Sequence, residues 1–556
     1  MGATATNAKT AGGARKADSP FRLPSPFATI TGTVTNSTGE PIQGATIRVK
    51  GAEGGTTTDS AGTFTITVPD NAILVVSYVG YTDQEVPTTG RTTVEVVLTE
   101  NNKELDQVVV VGYGTQRKID VTGSVATVKG DDISKQASIN PVAGLQGRVA
   151  GVQITNQGSP GASPQIRIRG LGTVYGSANP LYVVDGVWFN DVSFLNPEDI
   201  ESINILKDAS SEAIYGIRAA NGVVLITTKK GSRNGKATVS YTGFVGVQRV
   251  TNQVEMANAR EYAQMLNEKN RISTGSTVPL VDPSAYGEGT DWYDVVLRDA
   301  LITNHQVSVS GGGEKSTYNF SLGYVRQEGI AKNNTFNRMT ARFQNDFQVL
   351  TPLKIGYTIT ASGIYSKDIN PSIFYQAFIA PPIIPVKEPD GSYGDPTDYP
   401  TGNFANPQAT LDFFNQKSRN YRVTGNVFAE LKIIKALTFR TSIGGEFGEN
   451  EVLGYAPQYY ATSVQNNPSS RLTVTRAEDR NWIIENTLTY TKRFDDHNLT
   501  VLAGQSAQRY KTYSLTGTAL NVPYTTQADL YLRLGSTGNS NVTDQGDLST
   551  IASYFG

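Results

Sequence analysis

From Lys236 onward, apolar and polar residues alternate with a period of two. In 236–248, Val239, Tyr241, Val245 and Val247 share one parity and Thr238, Ser240, Thr242 and Gln248 the other. In 316–325, Tyr318, Phe320, Leu322 and Tyr324 stand against Asn319, Ser321 and Gly323. In 340–349, Ala341, Phe343, Phe347 and Val349 stand against Arg342, Gln344, Asp346 and Gln348. Successive side chains of a strand point to opposite faces, so the pattern predicts about nine or ten strands of roughly ten residues, each with one apolar and one polar face. A soluble sandwich also alternates. Two further features favour a transmembrane antiparallel β-barrel: Tyr and Phe recur at the ends of the apolar faces, and the connections are by turns tight and long. The tight ones are 310–316, 348–354, 433–437 and 493–498; the long ones run from about 250 to 300, 367 to 418, 450 to 470 and 513 to 547. The long connections are rich in Pro, Asn, Gly, Asp and Tyr and read as extracellular loops.

Upstream the rhythm is shorter. Residues 28–100 give short runs (ITGTVTN, ATIRVKG, GTFTITV, ILVVSYVGY, TTVEVVLTE) separated by turn words such as STGEP and DSAG, which predicts a small β-sandwich. Residues 119–232 alternate short strands (VQITNQ, QIRIRG, LYVVDGV, VVLITTKK) with helix-compatible pieces (NPVAGLQGRV, KDASSEAIYG), which predicts an α+β domain. Between the two, Asp106 and Gln107 lead into Val108, Val109, Val110 and Val111, followed by Gly112, Tyr113 and Gly114. Such a β-prone run with permissive glycines behind it suits strand addition to another protein's sheet edge.

Composition agrees with a mainly β chain. Of 556 residues, 38% are hydrophobic, with 55 Gly, 27 Tyr and 20 Phe, and no apolar run approaches the roughly 18 residues of a membrane helix. Any membrane crossing therefore falls to strands. The charge balance, 48 basic against 50 acidic, offers no footprint for nucleic acid. With no cysteine there is no disulfide framework and no thiolate metal site. Residues 1–27 are small, polar and slightly basic and read as a disordered leader in which no signal peptide is visible.

Candidate chemistry is sparse, and no cofactor or metal is expected. His305 and His497 are read at strand starts without partners, so neither supports catalysis. Residues 311–316 (GGGEKS) lack the Gly-Lys pair of a phosphate loop and read as a hairpin turn. The acidic stretch 282–294 lacks the spacing of a helix-loop-helix calcium site. Loop aromatics Tyr393, Tyr399, Phe404, Tyr455 and Tyr459 suit either stacking on sugar rings or packing on one another.

Specific motifs span residues 106–231: the run just described, then LQGRVAGV (145–152), IRIRG (166–170), PLYVVDGV (180–187) and ESINILKDASSEAIYG (201–216), with AANGVVLITTKKG behind. In order and spacing they resemble the TonB box and plug of SusC/RagA-type TonB-dependent outer-membrane transporters. GEPIQGATIRVKG, TDSAGTFTI and VSYVGY are similar to the carboxypeptidase-regulatory-like domain that precedes many such plugs. One departure is Ile217, where the family usually carries Ser.

The resemblance implies a leader (1–27), a regulatory-like sandwich (28–100), a box and linker (101–118), a plug (119–232) and a partial barrel (233–556). It implies plug motif positions at Arg148, Arg167, Arg169, Gly170, Asp185, Gly186, Lys207, Asp208, Tyr215, Gly216, Arg218, Asn221 and Gly222. Arg167, Arg169, Lys207 and Arg218 read either as lumen-facing or barrel-wall contacts or as solvated or salt-bridged surface charge. The implied function is import without covalent chemistry, driven through TonB, with a SusD-like lipoprotein, outer-membrane lipid and a carbohydrate or peptide substrate as partners. A TonB-dependent signalling receptor is the alternative. The family barrel needs about 22 strands, so this chain is expected to hold its first half, and a non-functional fragment also stays open.

Overall fold

The computed structural model describes residues 27–51, 55–69, 71–78, 81–99, 108–111, 114–117, 125–170, 178–208, 213–233, 235–495, 497–523, 530–536, 538 and 540–556. Nearly all of the expected leader, together with Asp106, Gln107, Gly112 and Tyr113, lies outside them. The chain divides into two compact units that part around Val108 and residues 117–120.

The first unit is a sandwich of two sheets. Phe27–Asn36 pairs antiparallel with Thr63–Pro69 and parallel with Thr93–Leu98. Opposite them stand Gly55–Thr57, Thr46–Val49, Ile73–Ser77 and Gln84–Pro87, in that order. Gly55–Thr57 and Gln84–Pro87 are too short to carry a periodic signal, and the sequence reading passes over both. The alternation points inward: Ile30, Val34, Ile47, Leu74 and Leu98 are fully buried. One polar group joins them, because buried Thr58 accepts from Ala45 N at 2.8 Å and donates to Ile42 O at 2.7 Å. The DSAG turn closes on Asp59, which accepts from Ala61 N and Thr63 N at 2.9 and 2.8 Å.

The second unit holds the plug and the barrel sheet. The plug sheet contains β1 (Val125–Lys129), β2 (Leu181–Val184), β3 (Val187–Phe189), β4 (Ile200–Leu206) and β5 (Val223–Thr228), in the order β1-β4-β5-β2-β3. Every residue of β2 is buried, the pattern of a strand covered on both faces. Asp185 and Gly186 join β2 to β3 with φ of 48° and 92°. Two left-handed residues make the hairpin turn that Asp-Gly favours. Among the described residues, the helix-compatible pieces contribute the 3-10 turns Ala143–Leu145 and Ala213–Ala219, the latter kinked at Gly216, and Gly130–Ser134 is α-helical. Gly130 permits that helix to sit on β4, since a Cβ there would lie 1.9 Å from Ile200 O.

Ten strands follow in one antiparallel sheet, each beside the next: β6 (Thr238–Gln248), β7 (Ala300–Gly312), β8 (Ser316–Glu328), β9 (Thr335–Leu350), β10 (Leu353–Asp368), β11 (Gln416–Ile434), β12 (Leu437–Ala456), β13 (Arg471–Phe494), β14 (His497–Leu520) and β15 (Ser540–Phe555). They run to 24 residues, more than twice the roughly 9–11 that a bilayer crossing takes. Because β12 continues to Ala456 and β14 to Leu520, the loops expected at 450–470 and 513–547 are shorter than read from sequence. His305 sits inside β7 rather than at its start, hydrogen-bonded to the Tyr241 hydroxyl at 2.8 Å; His497 does open β14.

The long loops 249–299 and 369–415 pack on each other around Ala259, Trp292, Val296, Ile373 and Ala377, and Trp292 Nε1 donates to Pro381 O at 3.0 Å. Asp282 and Asp291 accept from the backbone amides of Ser284 and Tyr293, so these acidic loop residues cap short helical turns. Tyr459 stacks on Phe413 with centroids 4.0 Å apart, Tyr393 donates to Asp412 at 2.8 Å, and Tyr399 to Glu388 at 3.0 Å. Each of these three tyrosines thus has a partner among the loop residues. No described helix is long and apolar enough to cross a membrane.

Candidate functional site between plug and barrel wall

The sheet's two faces reverse the soluble rule. On β9, Met339 and Phe343 are 59% and 48% exposed, whereas Arg338 and Arg342 are 2% and 0% exposed. The polar parity faces the plug, and the apolar parity faces outward as a lipid-facing band would.

Buried polar contacts join plug to wall along β7–β9. Arg342 lies within hydrogen-bonding reach of Thr228 Oγ1 and donates to Asn319 Oδ1 at 3.2 Å. Asp199 accepts from Gln306 Nε2 at 2.8 Å and from Ser321 Oγ at 2.6 Å. Burial pushes the Asp199 carboxyl up, and Arg342 together with the Ser321 and Gln306 bonds pulls it back. Arg338 donates to Ile139 O at 3.0 Å and also to Ser193 O. Along β11–β14 the contacts are mostly neutral: Asn426 Nδ2 donates to Asp185 O at 2.8 Å and Asn481 Nδ2 to Trp188 O at 2.9 Å. Arg422 stands 3.7 Å from Asp191 there. A cavity of about 520 Å³ opens beside them, lined by Trp188, Tyr215, Asn426, Arg440, Glu485 and Thr487 among others.

The motif residues divide between the plug's own fold and this interface. Of the four cations read as wall contacts or surface charge, Arg218 reaches the wall, donating to Gln508 Oε1 at 3.1 Å and to Asn190 Oδ1 at 2.8 Å. The other three find partners inside the plug. Arg169 pairs with Asp208 at 2.5 Å, Lys207 donates to Ala150 O at 3.1 Å, and Arg167 bonds Ile166 O and Asn179.

Asp185 accepts from Thr228 N and Oγ1, tying the hairpin turn to β5. Tyr215 is buried with its ring edge-on to Trp188, 5.8 Å between centroids, and burial pushes its hydroxyl up. Gly170, Gly216 and Gly222 all have positive φ. At Gly222 a Cβ would also lie 2.6 Å from Ile168 Cδ1, which fixes glycine there, next to Asn221. Arg148 is exposed. Val108–Val111 pairs with Gly114–Arg117 as a separate two-stranded ribbon. The side chain of Ile217 lies outside the described residues.

Sequence reading passed over Arg338, Gln306, Ser321 and Asn481 as site residues. Their parity marks a polar face, but nothing local says what covers it. Among the described residues no cluster of His, Cys, Asp and Glu could hold a metal ion.

Comparison with known proteins agrees with this geometry. Residues 117–223 match the family model described as TonB-dependent Receptor Plug Domain, and residues 30–110 match the CarboxypepD_reg-like domain. The chain is 35% identical to TonB-dependent receptor P39 of Formosa agariphila, over 86% of this chain and 46% of that protein. It is 36% identical to TonB-dependent receptor SusC of Bacteroides thetaiotaomicron, over 76% and 44% respectively. Among solved structures, the RagAB peptide importer in its open-open state superposes with a TM-score of 0.70 at 26% identity, covering 80% of this chain and 53% of that one. The chain spans about half the length of the curated relatives it matches.

Proposed function

The chain is a SusC-like TonB-dependent receptor homologue, and from that premise we propose that it serves the energy-coupled import of a nutrient, an oligosaccharide or a peptide, across the outer membrane. The observation that carries this reading is the seating of the plug. Its buried polar groups are bonded to the polar face of an antiparallel sheet whose apolar face points away. That is the arrangement of a plugged, lipid-embedded barrel.

In this reading substrate binds above the plug, on the side of the long loops, where a SusD-like surface lipoprotein closes over it. TonB pairs with the Val108–Gly114 run by strand addition and pulls. The plug is remodelled and substrate passes. The likeness to SusC and to the RagAB peptide importer supports the two cargo classes, and the interlocked loops 249–299 and 369–415 supply a built surface for a partner. Every step is binding and displacement, so no residue is assigned a catalytic role.

Deletion of Val108–Gly114 tests the reading in cells that supply TonB and the lipoprotein, with labelled oligosaccharides and labelled peptides as cargo. Uptake of one class is expected to fall to background while its binding to the cell surface persists. Uptake that survives the deletion removes the coupling role. Uptake of neither class by the undeleted chain removes the transport reading.

A further inference from the structure

Force entering at Val108–Gly114 reaches the plug through β1, an edge strand whose one neighbour in the sheet is β4. The described side chains of 125–138 bond inside the plug: Thr127 Oγ1 donates to Asn204 Oδ1 at 2.7 Å, and Lys135 to Asp132 at 2.9 Å. Among the described residues, the first plug residue in chain order that is hydrogen-bonded to the barrel is Ile139. Its carbonyl accepts from Arg338 Nη2 at 3.0 Å, and its side chain is buried with Ile302, Val325 and Phe336 of the barrel. The other arm of Arg338 donates to Ser193 O, which ties two distant plug segments to one side chain that is 2% exposed.

These attachments resist force differently. An edge strand gives up its backbone pairs one after another from Val125, each lost pair being replaced by water, and Val128 and Ile133 leave the plug core in turn. The Ile139 attachment has no such sequence. A buried guanidinium must release two carbonyls while an apolar side chain leaves its pocket, and the released charge would stay desolvated in the wall. Beyond it, Asp199 and Thr228 are held to the same three strands through Gln306, Ser321 and Arg342.

We propose that Arg338 is a positioning residue that acts as a mechanical stop. Traction on the box peels the plug from β4 as far as Ser138 and halts at Ile139, leaving the rest of the domain fixed to β7–β9. The opening then runs along the face of β4 that β1 uncovers. The inference rests on the reading of Val108–Gly114 as the point of force, but its test needs neither TonB nor transport.

The purified full chain in detergent micelles is pulled between peptide-tag handles placed at Val108 and in the exposed 313–315 turn. The expected trace is a first extension of about 50 Å for Val125 to Ser138, at roughly 3.5 Å per residue, followed by a pause. With Arg338→Met the pause is lost and the first extension at least doubles; with Arg338→Lys a shorter pause returns at the same extension. Forces for later extraction of barrel strands stay unchanged, which separates a stop from general loosening. Because the chain has no cysteine, Lys129→Cys with Ser202→Cys, a register pair of β1 and β4, gives a single disulfide that cuts the first extension to the roughly 14 Å of residues 125–128 until it is reduced. A wild-type plug that leaves in one step, or an Arg338→Met chain that pauses where wild type does, overturns the proposal. A pause in a chain that supports no uptake leaves the stop standing and sinks the transport reading.

Discussion

The N-terminal sandwich and the barrel sheet use the same period-two alternation and turn it in opposite directions. In the sandwich, Ile30, Val34, Ile47 and Leu74 are sealed between two sheets while the alternate residues meet water. In the barrel sheet the apolar parity, Met339 and Phe343 among others, is the exposed one, and Arg338, Arg342 and Gln344 are buried against or beside the plug. A strand cannot choose its covered face from its own composition. What lies against each face decides, and here one face is left open and the other meets a polar domain. The buried arginines are tolerable because carbonyls and hydroxyls of the plug replace their water.

The harshest test of this contrast exchanges one pair of parities, Arg342→Phe with Phe343→Arg. An arginine on the lipid face costs about 2–4 kcal/mol near the bilayer midplane, and the phenylalanine would leave Thr228 and Asn319 facing an apolar ring. The double variant is expected to fail to insert into lipid vesicles, read as loss of protease protection. Normal insertion would mean that the two faces are not distinguished as described.

Next in size, Ile47→Ala in the sandwich is expected to lower that unit's stability by about 2–5 kcal/mol in a urea melt, because its site is closed on all sides. Phe343→Leu, a change of shape on the open face, should cost less than about 1.5 kcal/mol in the same experiment. Equal losses at the two sites would erase the distinction between a sealed core and a lipid face.

The smallest effect sharpens the sandwich side alone. The Asp59 carboxyl is held below its usual range by hydrogen bonds from the Thr63 side chain and backbone. A carboxylate depressed by folding stabilises at pH above its unfolded pKa of about 3.9, and that stabilisation is lost as the pH falls through the folded value. Asp59→Asn should therefore remove that stabilisation at neutrality and flatten the acid limb of the sandwich's stability curve, so that variant and wild type converge below roughly pH 4. An unchanged acid limb would show that the DSAG turn contributes nothing through its charge.

Local chemistry is what could be read in the chain. The Asp185-Gly186 pair between two apolar runs sets a hairpin wherever it occurs, and a long alternation sets strands. The tight turns at 313–315 and 351–352 fall where the sequence reading puts them. The plug motifs were recognisable as words, yet most of the charged ones serve the plug's own fold: Arg169 pairs with Asp208, and Lys207 caps Ala150. The wall contacts were illegible because each joins residues far apart in sequence, as Arg338 joins Ile139 and Ser193.

The sequence by itself therefore determined where the longer strands run, which of their residues share a face and where the tight turns fall, since these depend on neighbours within a few positions. Only the tertiary structure decided which face is inside, that Phe27–Asn36 pairs in parallel with Thr93–Leu98, and that plug segments as far apart as Ile139, Ser193, Asp199 and Thr228 end on β7–β9. Those outcomes depend on which distant surface excludes water from a given side chain, and no window of local sequence contains that surface.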